Sequence, residues 1–170
     1  MDYLLLIFSL SLSITFLFSG ISKIVDIRTS IRITSSVGIL PKSFGRFFGS
    51  VLPLLEIIIA LCLIIGYKTN YMGIISSILL ISFIIANFKV IYEGKDLACN
   101  CFGNLFKESM GWGGIIHSFI LLIFALPVGL FSMNITIFQL QQAMLDLLFI
   151  LLQAISLFMI GIISRFVEIK

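Results

Sequence analysis

Five long apolar runs dominate the chain, and they leave it little choice of environment or of secondary structure. Lipid offers no hydrogen-bond partner, so a segment in the hydrocarbon must satisfy its own backbone. A helix of about 20 apolar residues does this across the whole thickness. The runs fall at about 3–21, 50–67, 70–90, 113–132 and 143–164. A soluble domain covers its surface with roughly 25% charged residues, whereas only 11% of this chain is charged and 60% is hydrophobic. The expectation is a single all-α integral membrane domain over residues 1–170, multi-pass in the cell membrane, with the lipid bilayer as its first partner.

The ends of the runs refine this expectation. Asp2 precedes the first run, and no small-x-small cleavage site follows it, so it reads as a retained helix and not a signal peptide. Pro53 is expected in the first turn of the second helix, where its missing N–H is harmless. Pro127 should kink the fourth helix or mark its fraying end. The second and third helices are joined by a tight turn at Lys68-Thr69.

Residues 22–49 are too polar to cross and too apolar for a free linker. Ile27, Ile31, Ile33, Val37, Phe44, Phe47 and Phe48 alternate there with Arg28, Arg32, Lys42 and Arg46. That mixture suits a segment lying in the headgroup region, apolar side down and basic side up. Gly38, Pro41 and Gly45 should break it into short pieces.

Counting crossings puts the first and third connections and the C-terminus on one membrane face. Ten of the eleven Lys and Arg lie on it, with Lys68 alone opposite. The excess of basic residues on cytoplasmic loops makes this the inner face. Nothing resembles a nucleic-acid interface, because the basic residues sit at membrane borders without an interleaved aromatic patch.

The third connection holds Asp96-Leu97-Ala98-Cys99-Asn100-Cys101-Phe102-Gly103, with two of the three cysteines one residue apart. A disulfide closed across one residue makes a small strained ring. It is easily reduced and suits exchange better than reinforcement. The same thiols could begin a metal site, although two thiolates need further ligands, or they could be two small residues that happen to be close. Glu56, inside the second run, is costly in lipid and a functional candidate by default. Its place near the run's start would also favour a helix N-terminus. Lys23 ends the first run on the same face and could pair with it, leaving a structural staple or proton handling as the role. His117 lies about a turn into the fourth run. It could be hydrogen-bonded locally, or could face the cysteine loop and move the proton that thiol exchange requires. Cys62 reads as a small hydrophobe in the middle of the second helix. Trp112 reads as an interfacial anchor, and Asn87, Asp146 and Gln153 as helix–helix hydrogen-bonding groups.

Three blocks in order, Phe18-Ser19-Gly20-Ile21-Ser22-Lys23, Leu52-Pro53-Leu54-Leu55-Glu56 and Cys99-Asn100-Cys101-Phe102-Gly103, carry a family resemblance. Over roughly residues 5–130 the chain resembles the MauE branch of the DoxX-like membrane proteins, known from methylamine utilisation. The C-x-C-F-G block is the specific one. The resemblance implies a four-helix transmembrane bundle, here with a fifth C-terminal helix. It also implies a redox-associated role in forming or isomerising disulfides of exported client proteins, often beside a thioredoxin-like partner. Cys99 and Cys101 match the family's cysteine pair, and Lys23 and Glu56 match positions in its other blocks.

Three functions compete at this point. The first is a thiol–disulfide oxidoreductase or maturation partner cycling Cys99 and Cys101, with a quinone or a thioredoxin-like protein as the other redox partner. The second is a non-enzymatic accessory or assembly subunit of another membrane protein. The third is metal handling by Cys99, Cys101 and His117. Disulfide formation belongs outside the cytoplasm, so under the first reading the chemistry and the charge count point to opposite faces. The charge count is followed here.

Overall fold

The computed structural model describes residues 2–39, 41–94, 98–99, 108–109 and 112–131. Five helices occupy almost all of them: α1 (Asp2–Val25), α2 (Ile27–Val37), α3 (Lys42–Ile65), α4 (Thr69–Tyr92) and α5 (Trp112–Leu130). Between α4 and α5 a two-residue antiparallel ladder pairs β1 (Ala98–Cys99) with β2 (Glu108–Ser109). Helices α1, α3, α4 and α5 are long and apolar enough to cross a membrane. The expected all-α membrane bundle is therefore present. The run at 143–164 lies outside the described residues.

The bundle is apolar on its outer faces as well as in its core, and it buries small polar side chains among the apolar ones. Its most buried helix is α1, which sends Leu12 and Phe16 into a core shared with Ile59, Ala60 and Leu63 of α3, Leu80 of α4, and Leu121, Ala125 and Val128 of α5. Phe8 stacks on Phe124 at a centroid distance of 4.9 Å, fixing α1 to α5. Helix α1 also buries Ser9, Ser11, Ser13 and Thr15, on two of its sides. Small side chains let helices approach closely where lipid supplies no hydrophobic drive between them. Two of the hydroxyls are served within the helix, Ser13 donating to the Ser9 carbonyl at 2.6 Å and Thr15 to that of Ser11 at 2.9 Å, while Ser9 donates across to the Leu63 carbonyl of α3 at 3.4 Å. The outer faces carry stripes at helical spacing, such as Ile74, Ile78, Ile81 and Ile85 on α4.

Residues 22–49 break at Gly38 and Pro41 as expected but differ in their helix boundaries and at Gly45. The first helix continues through Val25, and α2 is a separate helix of 11 residues, about 16 Å long and too short to span. The Asp26 carboxylate accepts from the Thr29 N–H at its start, and Gly38 ends it at φ 74°. Gly45 does not break the chain, because α3 begins at Lys42 and runs unbroken to Ile65. Gly45 and Gly49 instead form the buried face on which α2 lies. A Cβ at Gly49 would stand 2.8 Å from the Ile31 Cα.

The early start of α3 relocates two residues. Pro53 is in the helix interior and not in the first turn. It offers no N–H to the carbonyl four residues back, that of Gly49. Ser30 of α2 donates its hydroxyl to that carbonyl at 3.5 Å, so the defect in one helix becomes a link to another. Pro127 falls in the last turn of α5, and the Phe131 N–H still reaches the Pro127 carbonyl at 2.9 Å. It marks the end of the helix.

Candidate functional site

The chain order of the four long helices puts the end of α1, the start of α3, the end of α4, the cysteine ladder and the start of α5 at one end of the bundle. Most of the polar residues read as candidates gather near that end.

The first two sequence blocks are a single structural unit. A Cβ at Gly20 would stand 2.7 Å from Ile57 Cγ1 and 2.9 Å from the Pro53 carbonyl oxygen, so α1 and α3 can cross this closely only at a glycine. One turn further along α1, Lys23 reaches Glu56 and the two form a buried ion pair through Nζ and Oε1. Glu56 is 0% and Lys23 5% exposed. The Lys23 ammonium also stands 4.8 Å from the centroid of the Phe83 ring on α4, a cation–π contact that strengthens on desolvation. Three helices thus converge on one cation. The alternative role for Glu56, favouring a helix N-terminus, is overturned. Lys42 begins α3, and Glu56 lies about 21 Å along the helix from it.

His117 is 3% exposed and lies in the second turn of α5, at the cysteine end. Asn87, in the last two turns of α4, is 2% exposed. Its Nδ2 donates to the Phe83 carbonyl at 2.8 Å, and its Oδ1 is buried without a hydrogen-bond partner. That oxygen points at Gly114, where a Cβ would stand 2.5 Å from it. The expected interhelical hydrogen bond of Asn87 is replaced by a bond within α4 and close packing on α5. Two residues on from Asn87, Lys89 donates to the Gly38 carbonyl at 2.6 Å and lies 3.7 Å from Glu93. It therefore ties the C-terminus of α2 to the last turn of α4.

The ladder lies between α4 and α5 in the chain. Ala98 faces Ser109 and Cys99 faces Glu108 in antiparallel register, so the backbone at Cys99 is held against the returning chain. Cys101 lies outside the described residues, as do Asp146 and Gln153. Cys62 is half-buried and sits in the last turn of α3, not in the middle of a helix. Its carbonyl accepts from the Tyr67 N–H at 2.9 Å. It belongs to the opposite end of the bundle, about 30 Å along α3 from Lys42, and packing suffices to explain it. Trp112 is exposed at the start of α5, as an interfacial anchor should be. Among the described residues no three His, Cys, Asp or Glu side chains gather as a metal site would require.

Sequence reading missed Phe83 and Lys89. Phe83 is one of 17 phenylalanines, and only the structure shows which ring lies under Lys23. Lys89 carried a signal in its position at the border of an apolar run, but its acceptor is a backbone carbonyl, which no residue type announces.

Over residues 1–132 the chain matches the family model described as methylamine utilisation protein MauE. The chain is a member of the MauE family. The match spans every described helix, so α1 to α5 and the cysteine ladder are the MauE unit, and the run at 143–164 follows it. No curated protein and no solved structure matches the chain.

Proposed function

We propose that this MauE-family protein is a thiol–disulfide exchange protein of the cell membrane, with Cys99 and Cys101 as its reactive pair. The observation that carries the reading is the ladder at Cys99. The ladder follows α4 and precedes α5, which supports placing one member of the C-x-C pair at the bundle end near which Lys23, Glu56, Asn87 and His117 are buried. A pair separated by one residue closes only a strained ring, and a strained disulfide exchanges readily.

The exchange balances as follows. A client thiolate attacks one sulfur of the Cys99–Cys101 disulfide. That S–S bond breaks, the other cysteine leaves as a thiolate and takes up a proton, and the client is held in a mixed disulfide. The client's second thiolate then attacks its own mixed-disulfide sulfur, releasing an oxidised client and a reduced pair that has gained two electrons and two protons. A membrane quinone or the disulfide of a thioredoxin-like protein accepts these and restores the pair. His117, whose imidazole can take up and give a proton, is assigned the proton transfer at this end of the bundle. The buried Lys23–Glu56 pair is assigned support of the helix crossing and not direct chemistry.

Replacing Cys99 or Cys101 singly by Ser should trap a mixed disulfide with a disulfide-bearing thioredoxin-like partner, which the remaining thiolate attacks and no second cysteine resolves. It would be visible on non-reducing gels of native membranes alkylated at lysis. Replacing both should abolish it, and Cys62→Ser should leave trapping unchanged. If neither single variant captures anything and the wild-type pair stays reduced under mild oxidant, the redox reading fails.

A further inference from the structure

The strands that carry Cys99 have two feet: the end of α4 at Tyr92 and the start of α5 at Trp112. The Asn87–Gly114 contact lies immediately behind those feet, in the last two turns of α4 and at the third residue of α5. Asn87 cannot easily turn away, because its Nδ2 is held by the Phe83 carbonyl. Its Oδ1 is buried with no donor and pressed toward Gly114, an α5 position without a Cβ. Buried carbonyl groups nearly always find a donor. An amide left without one, at a glycine, acts through its shape. The surroundings are fixed as well: Lys89 binds the α2 terminus and Phe83 lies under Lys23. At the far end of the same helix pair Gly73 backs directly onto Gly129, so α4 and α5 touch backbone to backbone there. At the cysteine end an amide is interposed.

We infer that Asn87 is a positioning residue, a spacer seated on Gly114 that sets the distance between the two chain ends entering the cysteine ladder and thereby the register of Ala98–Cys99 on Glu108–Ser109. This inference rests on reading Cys99 and Cys101 as the exchanging pair. The spacer governs how readily that pair closes.

Two readouts separate the spacer from the redox reading. In the full chain with Cys62, Cys99 and Cys101 replaced by Ser, Ala98→Cys and Ser109→Cys place a reporter pair at facing positions of the ladder. Its rate of disulfide formation under mild oxidant in native membranes measures the register directly. Gly114→Ala puts a methyl where the amide oxygen lies, and should slow closure by roughly tenfold or more, the scale on which small misplacements act between positioned groups. Adding Asn87→Ala removes the obstructing amide and should restore the rate. With the native cysteines in place, the glutathione equilibrium of the Cys99–Cys101 pair should shift in Gly114→Ala and return in the double variant. If Gly114→Ala fails to accumulate, the double variant must recover both accumulation and closure. Wild-type closure in Gly114→Ala, or a double variant as impaired as the single one, overturns the spacer. Reporter closure that responds while the native pair's equilibrium stays fixed upholds the spacer and overturns its link to exchange.

Discussion

Lys23 and Glu56 show how one contact in a membrane bundle depends on several residues. Each charge alone would be expensive in lipid. The pair is tolerated because Gly20 lets α1 approach α3, and because Phe83 presents its ring face to the ammonium. Removing one member of a buried pair leaves the other uncompensated, a loss of about 3–5 kcal/mol. Glu56→Gln and Lys23→Met should each lower the thermal stability of the detergent-solubilised protein by a loss of that order. The double variant should lose little more than the worse single one, because neither charge is then stranded. Fully additive losses in the double-mutant cycle would show that the two act independently. The pair itself was legible in the sequence, since charges at the ends of apolar runs are conspicuous. Gly20 was visible only as part of a block, because a close approach is a property of two helices. The seating of Asn87 on Gly114 was hidden for the same reason.

At the scale of elements, the reading failed where it followed mean hydropathy and held where it followed length. Ser43, Gly45, Arg46, Gly49 and Ser50 dilute the apolar character before Val51, so the second helix appeared to start near 50, whereas α3 starts at Lys42. The missed signal is periodic. Phe44, Phe47 and Phe48 are exposed on one side of those turns, while Gly45 and Gly49 are buried on another. A mean over a window erases that division. The shifted start makes Pro53 an interior proline with a compensating donor on α2. Ser30→Ala should therefore cost about 1 kcal/mol, the usual net value of one hydrogen bond. Pro53→Ala restores an N–H to the Gly49 carbonyl, and in that background Ser30→Ala should have almost no effect on the melting temperature. An undiminished effect of Ser30→Ala there would mean that the hydroxyl serves some other group. Gly49→Val should be worse than either change, because the added carbons would meet the α2 backbone at Ile31.

The whole molecule is asymmetric from one face to the other. Tyr92 and Trp112 are exposed at the cysteine end, and Tyr67 and Tyr71 at the other, where Lys68 lies 5.7 and 5.8 Å from their ring centroids. Aromatic residues favour the two interfaces, and Tyr71 to Tyr92 along α4 is about 31 Å, close to the thickness of a hydrocarbon core. Between these belts the bundle count was legible, because four spans of sufficient length can scarcely be mistaken. The cysteine site was legible as a motif but not as a geometry, because a two-residue ladder leaves no periodic signature. The four described spans return the chain to its starting face by Leu130, and the run at 143–164 would carry the C-terminus to the cysteine face. From the excess of Lys and Arg on that face, set against Lys68 alone opposite, we propose that it is the cytoplasmic one. In a Cys62→Ser background, a membrane-impermeant maleimide applied to intact, reductant-treated cells should therefore label Lys68→Cys, with Cys99 and Cys101 also replaced by Ser, and should spare the native pair. The native pair should react only after the membrane is opened. Labelling of the native pair from outside, with Lys68→Cys protected, would invert the molecule. The exchange site would then face the compartment where client disulfides persist, and the basic residues of α2 and early α3 would have to be discounted as an interfacial feature. Labelling of both from one side would break α4 as a span, and with it the parity that puts Lys23, Glu56 and the cysteine ladder on a common face.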